Sequence, residues 1–437
     1  MDVTINPRPL EGRVDAVASK SVAHRMLVLA SLAEGRSDID CATSSRDIDA
    51  TVTCARALGA RVARTRLGFR VSPLARDAVR AAAGTGSPTT LDCGESGSTL
   101  RFLLPVACAL GGSYRMVGAG RLAERPLSPL WEQLVAHGAR LEGGGRLPAL
   151  VSGGLAGGEF RLPGDVSSQY VSGLLMAAPL LDEGVCVLVE DPFESRSYVD
   201  MTIQALSAFG VRVLSQRVEE GGRALTSLRV PAGSRLRSTG TLAVEGDWSN
   251  AAFWLAAGAL GGGTCVRGLD LGSCQGDRAV LAALAAMGAR IRRAGSEACC
   301  SHDALLGRTV GVADIPDLVP PLAAVAAYAT GETRFAGAGR LRLKESDRLE
   351  SVGDALRSMG ARVRTEGDDL VVEGAPALRG GVVESHNDHR IAMMAAVAAS
   401  AAEGPTTIRG AECVSKSYPG FWEDFAALGG VAEKREG

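Results

Sequence analysis

Of the 47 Lys and Arg residues in the chain only four are Lys: Lys20, Lys344, Lys416 and Lys434. An ammonium is a compact charge that can give up a proton, which a guanidinium cannot do, so a few Lys kept against such a bias point to chemistry. Lys434 lies among exposed-type charges, whereas the other three stand in short polar clusters. The first cluster is Ser19-Lys20-Ser21-Val22-Ala23-His24-Arg25, ahead of an apolar helical run. Hydroxyls, cations and free N–H groups at a helix start bind anions. Asp92-Cys93-Gly94-Glu95-Ser96-Gly97-Ser98-Thr99-Leu100-Arg101 is a Gly-rich helix start without the Lys of a P-loop. Arg121 and Arg125, beside Pro126, offer two guanidinium forks, and Ser167-Ser168-Gln169 offers three neutral hydrogen-bonding side chains. Asp317, in Ile315-Pro316-Asp317, suits a helix cap or a general base. In Lys344-Glu345-Ser346-Asp347-Arg348 a helical reading puts Lys344 and Arg348 on one face, a like-charge pair that favours a bound dianion. His386-Asn387-Asp388-His389-Arg390 opens another apolar helix, and its two His lack a third zinc ligand. Lys416 closes the series. Each cluster alone is also what a capped helix with solvated charges looks like. Together they collect Lys20, Arg25, Arg101, Arg125, Lys344, Arg348, Arg390 and Lys416 in a chain of net charge −2, which asks for two small polyanionic substrates.

The elements that would carry these clusters repeat. A small-residue helix, a Gly and a short alternating run recur at Gly59, Gly138, Gly210, Gly288 and Gly360, with a degenerate copy at Gly429. The glycines are 69 to 79 residues apart, a period suited to a small α/β unit used six times. Each Gly stops a helix in the left-handed conformation, and a hairpin follows, as in Arg364-Thr365-Glu366-Gly367-Asp368-Asp369-Leu370. Three units precede residue 230 and three follow it, with 231–241 as the crossing.

Composition sets the class. The 437 residues, 46% apolar and 22% charged, fit two or three globular domains. An aromatic content of 4% and the near-neutral charge argue against a nucleic-acid or anionic-membrane partner. The apolar stretches 251–263 and 391–402 are too short to span a bilayer, and the first ten residues lack a signal pattern. The ten Cys form no C-x-x-C pair and read as small buried hydrophobes of a reducing cytosol. There is no G-x-S-x-G elbow and no dinucleotide fingerprint with its acidic partner.

In this order the clusters resemble the enolpyruvyl transferases, and within them the EPSP synthase family. The resemblance spans essentially the whole chain. Beyond the clusters above it rests on Val244-Glu245-Gly246-Asp247 and Gln275-Gly276-Asp277. It implies an α/β (α+β) fold, a two-domain inside-out α/β barrel of three βαβαββ units per domain. The first domain, 19–240, would be an insertion; 1–18 plus 241–437 would form the second. The crossings would lie near 18–20 and 235–242, with the active site in the interdomain cleft. The implied reaction moves the enolpyruvyl group of phosphoenolpyruvate to the 5-hydroxyl of shikimate 3-phosphate and releases phosphate. It is a step of the shikimate pathway to chorismate and aromatic amino acids, run by addition–elimination with no metal and no organic cofactor. By resemblance Lys20, Ser21, Arg25, Ser167, Ser168, Gln169, Ser195, Asp317 and Lys344 hold shikimate 3-phosphate. Lys20, Gly97, Arg125, Gln169, Arg348, Arg390 and Lys416 would hold phosphoenolpyruvate. Asp317 would take the hydroxyl proton, and Glu345 and Lys20 would serve the enol carbon and the leaving phosphate. The implied enzyme is a cytoplasmic monomer with small-molecule partners only. Glu95 stands where the family often has Asn, Phe102 where many members have Pro, and Val17-Ala18 replaces Pro-Gly; Arg340 stands where members carry a neutral polar residue. The UDP-N-acetylglucosamine enolpyruvyl transferases are an alternative, but they carry a Cys where this chain has Gly120. An RNA 3′-phosphate cyclase would need a catalytic His, for which His389 is available, and an RNA site that the composition does not favour.

Overall fold

The computed structural model describes residues 1–77 and 87–435; the expected domain spans also take in 78–86 and 436–437, which lie outside the described residues. All six helix-stopping glycines have positive φ: 104° at Gly59, 95° at Gly138, 79° at Gly210, 104° at Gly288, 97° at Gly360 and 88° at Gly429. Any residue with a Cβ would be strained there, so the chain turns out of the helix at once and starts a strand.

Among the described residues six four-stranded sheets result, and all share one order. A first strand pairs in parallel with a second, and an antiparallel pair, a hairpin in five of the six, adds on its far side. Thr89–Asp92, Ser113–Val117, Ala149–Ser152 and Arg140–Glu142 form one such sheet. Gly158–Pro163, Val185–Glu190, Arg223–Val230 and Leu214–Glu220 form the next. Thr309–Gly311, Glu332–Ala336, Asp369–Glu373 and Arg362–Glu366 repeat it. The other three borrow a strand from far along the chain. Thr241–Ala243 completes Ser37–Asp40, Gly68–Ser72 and Arg61–Arg64. Glu11–Asp15 completes Gly263–Arg267, Glu297–Ser301 and Arg290–Ala294. Asp2–Asn6 sits between Thr406–Arg409 and Val431–Arg435, with Gly381–Glu384 at the edge.

The chain divides into a continuous unit, Ala18–Val244, and a discontinuous one, residues 1–17 with those from Glu245 on. The second crossing lies past the expected residue 240, because Thr241–Ala243 is held by Ser37–Asp40. In the continuous unit the first helix of each repeat is buried along nearly its whole length: Lys20–Leu32, Gly97–Leu110 and Ser168–Ala177. The discontinuous unit buries Trp248–Leu260, Val319–Ala326 and His389–Ser400 in the same way, and these three pack on one another. Their Ala-rich surfaces allow the close approach. The second helices, such as Arg46–Ala57 and Arg348–Ser358, bury one face only, as amphipathic surface helices do. Among the described residues no helix is long and apolar enough to cross a membrane.

The reading of all ten Cys as inert thiols needs one correction. Cys265 and Cys299 are directly opposed on neighbouring antiparallel strands and form a disulfide, while the other eight are free.

Candidate active site

In each unit the predicted residues gather at the starts of the buried helices, where N–H groups have no intrahelical acceptor. In the continuous unit Lys20 and Ser21 begin Lys20–Leu32, Gly97 begins Gly97–Leu110, and Ser168 begins Ser168–Ala177. Ser96 and Ser167 cap the latter two through their side chains, accepting from Thr99 N and Gln169 N; Ser19 holds the cap position of the first without a side-chain cap bond. Lys20 donates to Asp47 Oδ2 at 2.8 Å. Arg25 is 2% exposed and ties helices together. It donates to Ser21 O (2.6 Å), Thr202 Oγ1 (2.7 Å) and Tyr198 O (2.7 Å), and its guanidinium lies 4.9 Å from the Phe102 ring. Phe102 therefore gives Arg25 an aromatic face. Ser195, buried and left-handed with φ 53°, opens the helix Arg196–Ala208 that carries Tyr198 and Thr202.

The same unit holds an anion-type cradle. Gln169 accepts from Arg101 Nη1 and donates to Ser98 Oγ, both at 3.0 Å. A Cβ on Gly97 would lie 2.6 Å from Arg101 Nη1 and 2.9 Å from Arg125 Nη1, so both guanidinium groups close on the backbone there. A larger residue would push both guanidinium groups outward. Glu95 reaches the other side of this loop, its carboxylate against the backbone of Gly120.

Behind the cradle runs a buried chain of hydrogen bonds. Thr99 Oγ1 donates to Ser96 Oγ (2.8 Å), Thr51 Oγ1 meets Thr99 Oγ1 (2.6 Å), and His24 Nδ1 meets Thr51 Oγ1 (2.7 Å). Each hydroxyl has one proton, so the direction set at Ser96 makes His24 Nδ1 the donor. Burial, with Lys20 and Arg25 nearby, holds the His24 pKa well below its ordinary value, so the ring is neutral.

In the discontinuous unit the chemistry centres on Asp317. Lys344 Nζ lies 3.2 Å and Arg348 Nη1 2.8 Å from its Oδ1, and Arg390 Nη2 lies 3.2 Å from its Oδ2. Burial alone would push this carboxyl up, but Arg390, Lys344 and Arg348 outweigh it and hold the pKa well below the usual carboxylate range. Lys344 is shifted down by its burial and by Arg348 and Arg340, against the pull of Asp317. Arg348 is 1% exposed and also bonds Glu345 and both oxygens of Asp388. Asp388 accepts from the Arg390 backbone as the cap of His389–Ser400. Lys416 Nζ donates to Asn387 O at 2.6 Å, one residue before that cap. Next to Asp317 is a second acid, Asp277: burial and then the Asp317 charge raise its pKa to about 6. It accepts from Ser249 Oγ.

The sequence reading of Lys344 and Arg348 on one helical face is corrected. Asp347 caps a helix that begins at Arg348, and Lys344 is extended before it. The two cations still meet, but on Asp317 and not along a helix. His386 likewise precedes its helix, with φ 52°. Four partners were not picked out by type and spacing: Asp47, Ser98, Asp277 as a buried acid, and Asp388. Asp47 lies in Arg46-Asp47-Ile48-Asp49, which reads as an ordinary acidic helix start. Arg101 stood among the cations but was not assigned a ligand.

A family model described as EPSP synthase (3-phosphoshikimate 1-carboxyvinyltransferase) matches residues 5–425. A 3-phosphoshikimate 1-carboxyvinyltransferase of Clostridium kluyveri is 40% identical over 99% of this chain and 98% of that protein. One of Clostridium perfringens is 38% identical over 98% of each. The solved structure of the EPSP synthase of Acinetobacter baumannii superposes with a TM-score of 0.77 at 28% identity, covering 99% of this chain and 100% of that one. A match over nearly the whole length, with the clustered cations at the buried helix starts, means that the chain belongs to the EPSP synthase (3-phosphoshikimate 1-carboxyvinyltransferase) family.

Proposed function

We propose that the chain transfers the enolpyruvyl group of phosphoenolpyruvate to the 5-hydroxyl of shikimate 3-phosphate, releasing phosphate. The observation that carries this reading is Asp317, an ionised carboxylate gripped by Lys344, Arg348 and Arg390. A carboxylate so stabilised is a weak base. Anionic substrate groups that engage Lys344 and Arg390 weaken their hold and raise its basicity. Asp317 then accepts the 5-hydroxyl proton as that oxygen attacks the enol carbon bearing phosphate. The neighbouring methylene carbon gains a proton, giving a tetrahedral intermediate, and loss of that proton with phosphate restores the enol. Glu345 and Lys20 serve those two proton transfers.

Shikimate 3-phosphate is assigned Lys20, Ser21, Arg25, Ser167, Ser168, Gln169, Ser195, Asp317 and Lys344. Phosphoenolpyruvate is assigned Lys20, Gly97, Arg125, Gln169, Arg348, Arg390 and Lys416. The Gly97 cradle with Arg101 and Arg125 supports the second assignment. For Arg348 to touch substrate it must release one of its three carboxylates; otherwise it orients Asp317 and Glu345. The buried helices surrounded by sheets in each unit support an inside-out α/β barrel. We take the enzyme to be a cytoplasmic monomer; gel filtration checks the oligomeric state and cell fractionation the location.

A phosphate-release assay with phosphoenolpyruvate tests the reading. Release is expected with shikimate 3-phosphate as acceptor and none with UDP-N-acetylglucosamine; the reverse result rejects it.

A further inference from the structure

We propose that Cys265 and Cys299 form a thiol-exchange site, a disulfide opened and closed by low-molecular-weight thiols. The two sulfurs are part of a row that crosses a four-stranded sheet. Arg13 is paired with Cys265, Cys265 with Cys299, and Cys299 with Arg292, so all four side chains stand on one face. The helix Trp248–Leu260 packs against the same two central strands. On the row's face Arg13 and Arg292 are more than half exposed. Arg292 Nη2 lies 2.9 Å from Cys299 Sγ, 3.8 Å from Cys265 Sγ and 3.2 Å from Glu297 Oε1. Glu297 Oε2 lies 3.4 Å from Arg13 Nε and so links the two cations.

This placement makes the two sulfurs unequal. Cys299 is 8% exposed and lies 2.9 Å from the Arg292 guanidinium and 3.4 Å from Glu297 Oε1, a carboxylate that the same guanidinium pairs at 3.2 Å, whereas Cys265 is more open to solvent and further from the cation. A cation beside a sulfur stabilises its thiolate, and the sulfur that forms the better thiolate is the better leaving group. An incoming thiolate therefore attacks Cys265 Sγ. The S–S bond breaks, its electron pair stays on Cys299 as a thiolate held by Arg292, and a mixed disulfide forms on Cys265. A second thiolate attacks the outer sulfur of that mixed disulfide and takes it away as the oxidised small thiol. The sum is one protein disulfide and two thiols in, two protein thiols and one small disulfide out. Oxidised small disulfide runs the sequence backwards. The group Cys265, Glu297 and Cys299 is also compact enough to hold a cation, but Arg292 already occupies that side of the sulfurs, so thiol exchange is the reading taken.

The bond encloses a segment that matters to the candidate active site. Its 34-residue span contains Gln275, which accepts from the Trp248 backbone, and Asp277, which accepts from Ser249. Opening the bond releases a constraint on the unfolded chain, so the reduced protein is expected to melt lower by roughly 5–10 °C.

The test counts thiols and locates adducts. Protein purified without reductant and then denatured should show eight thiols, the free cysteines of the structure. Incubation of the native protein with reduced glutathione should bring the count to all ten. Quenching early with iodoacetamide and mapping peptides should find glutathione on Cys265 and the alkyl group on Cys299. Arg292→Leu, a change at an exposed side chain, should slow opening about tenfold. The proposal is overturned if the bond opens only after denaturation, or if ten free thiols persist in oxidised glutathione. Glutathione found on Cys299, or an unchanged rate in Arg292→Leu, overturns it equally. None of these readouts depends on enolpyruvyl transfer, so the proposal and the proposed function fail separately.

Discussion

Lys20 and Lys416 are held by partners of different kinds, and the difference decides what each can do. Lys20 donates to a carboxylate, Asp47, while Lys416 donates to a backbone carbonyl at Asn387. A carboxylate can pass a proton and a carbonyl cannot. Lys20→Arg keeps the charge but ends proton transfer at neutral pH, and is expected to lower kcat roughly 10²–10⁴-fold. Lys416→Arg should act mainly on KM for phosphoenolpyruvate. Lys434 forms an exposed pair with Glu423, so Lys434→Arg should be silent and serves as control. Near-normal kcat in Lys20→Arg would leave Lys20 as a charge and nothing more. A second residue-scale effect is visible in pH. Asp277, raised to about 6, binds a proton when folded that it does not bind unfolded, between about pH 4 and 6. The folded state holds more protons in that window, so stability falls as pH rises through it. Asp277→Asn removes this loss. Denaturant titration should find the variant more stable than the parent by about 2–3 kcal/mol at about pH 8, with the gap closing toward pH 4. The cations of the site were legible from type and spacing because a chain of net charge −2 has few reasons to cluster them. Asp47 and Asp388 were not, because a carboxylate in a first helical turn has a sufficient local explanation.

At the scale of elements, one contact sets two helices and one binding group together. A Cβ on Gly173 would lie 2.3 Å from the Arg101 carbonyl, so the helices Gly97–Leu110 and Ser168–Ala177 touch backbone to backbone there. The same crossing brings Gln169 to Arg101 and Ser98. Gly173→Ala has no flexible neighbour to push aside and must separate the helices. It is expected to cost about 1–3 kcal/mol, read from the denaturant midpoint, and to raise KM for phosphoenolpyruvate. Unchanged values for both would mean that the crossing relaxes without cost. The six glycine stops were legible because left-handed backbone demands Gly. The break between Lys344 and Arg348 was also signalled, since Asp347 with Glu350 three residues on is a capping pattern, but the spacing of the two cations argued the other way.

At the scale of the whole molecule the two units differ in how they are assembled from the chain. Residues 18–244 hold every strand of their three sheets, including Thr241–Ala243. This fragment, made alone, is expected to unfold cooperatively in urea. Residues 245–437 alone lack Asp2–Asn6, the strand between Thr406–Arg409 and Val431–Arg435, and also Glu11–Asp15. They should show no cooperative transition until a peptide of residues 1–17 is added; a sharp transition without it would refute the expectation. That borrowed strand could be placed from the sequence only through the family resemblance, because five alternating residues say nothing about distant partners. Its position also has a consequence in time. Thr4 bonds Thr407, 403 residues later. Synthesis at about 5–20 residues per second leaves the first strand waiting roughly 20–80 s for its neighbours, its backbone edges unpaired and Val3 and Ile5 uncovered throughout. The continuous unit can fold while the discontinuous one still lacks its late strands, so residues 1–17 are where the nascent chain is most open to chaperones and to aggregation.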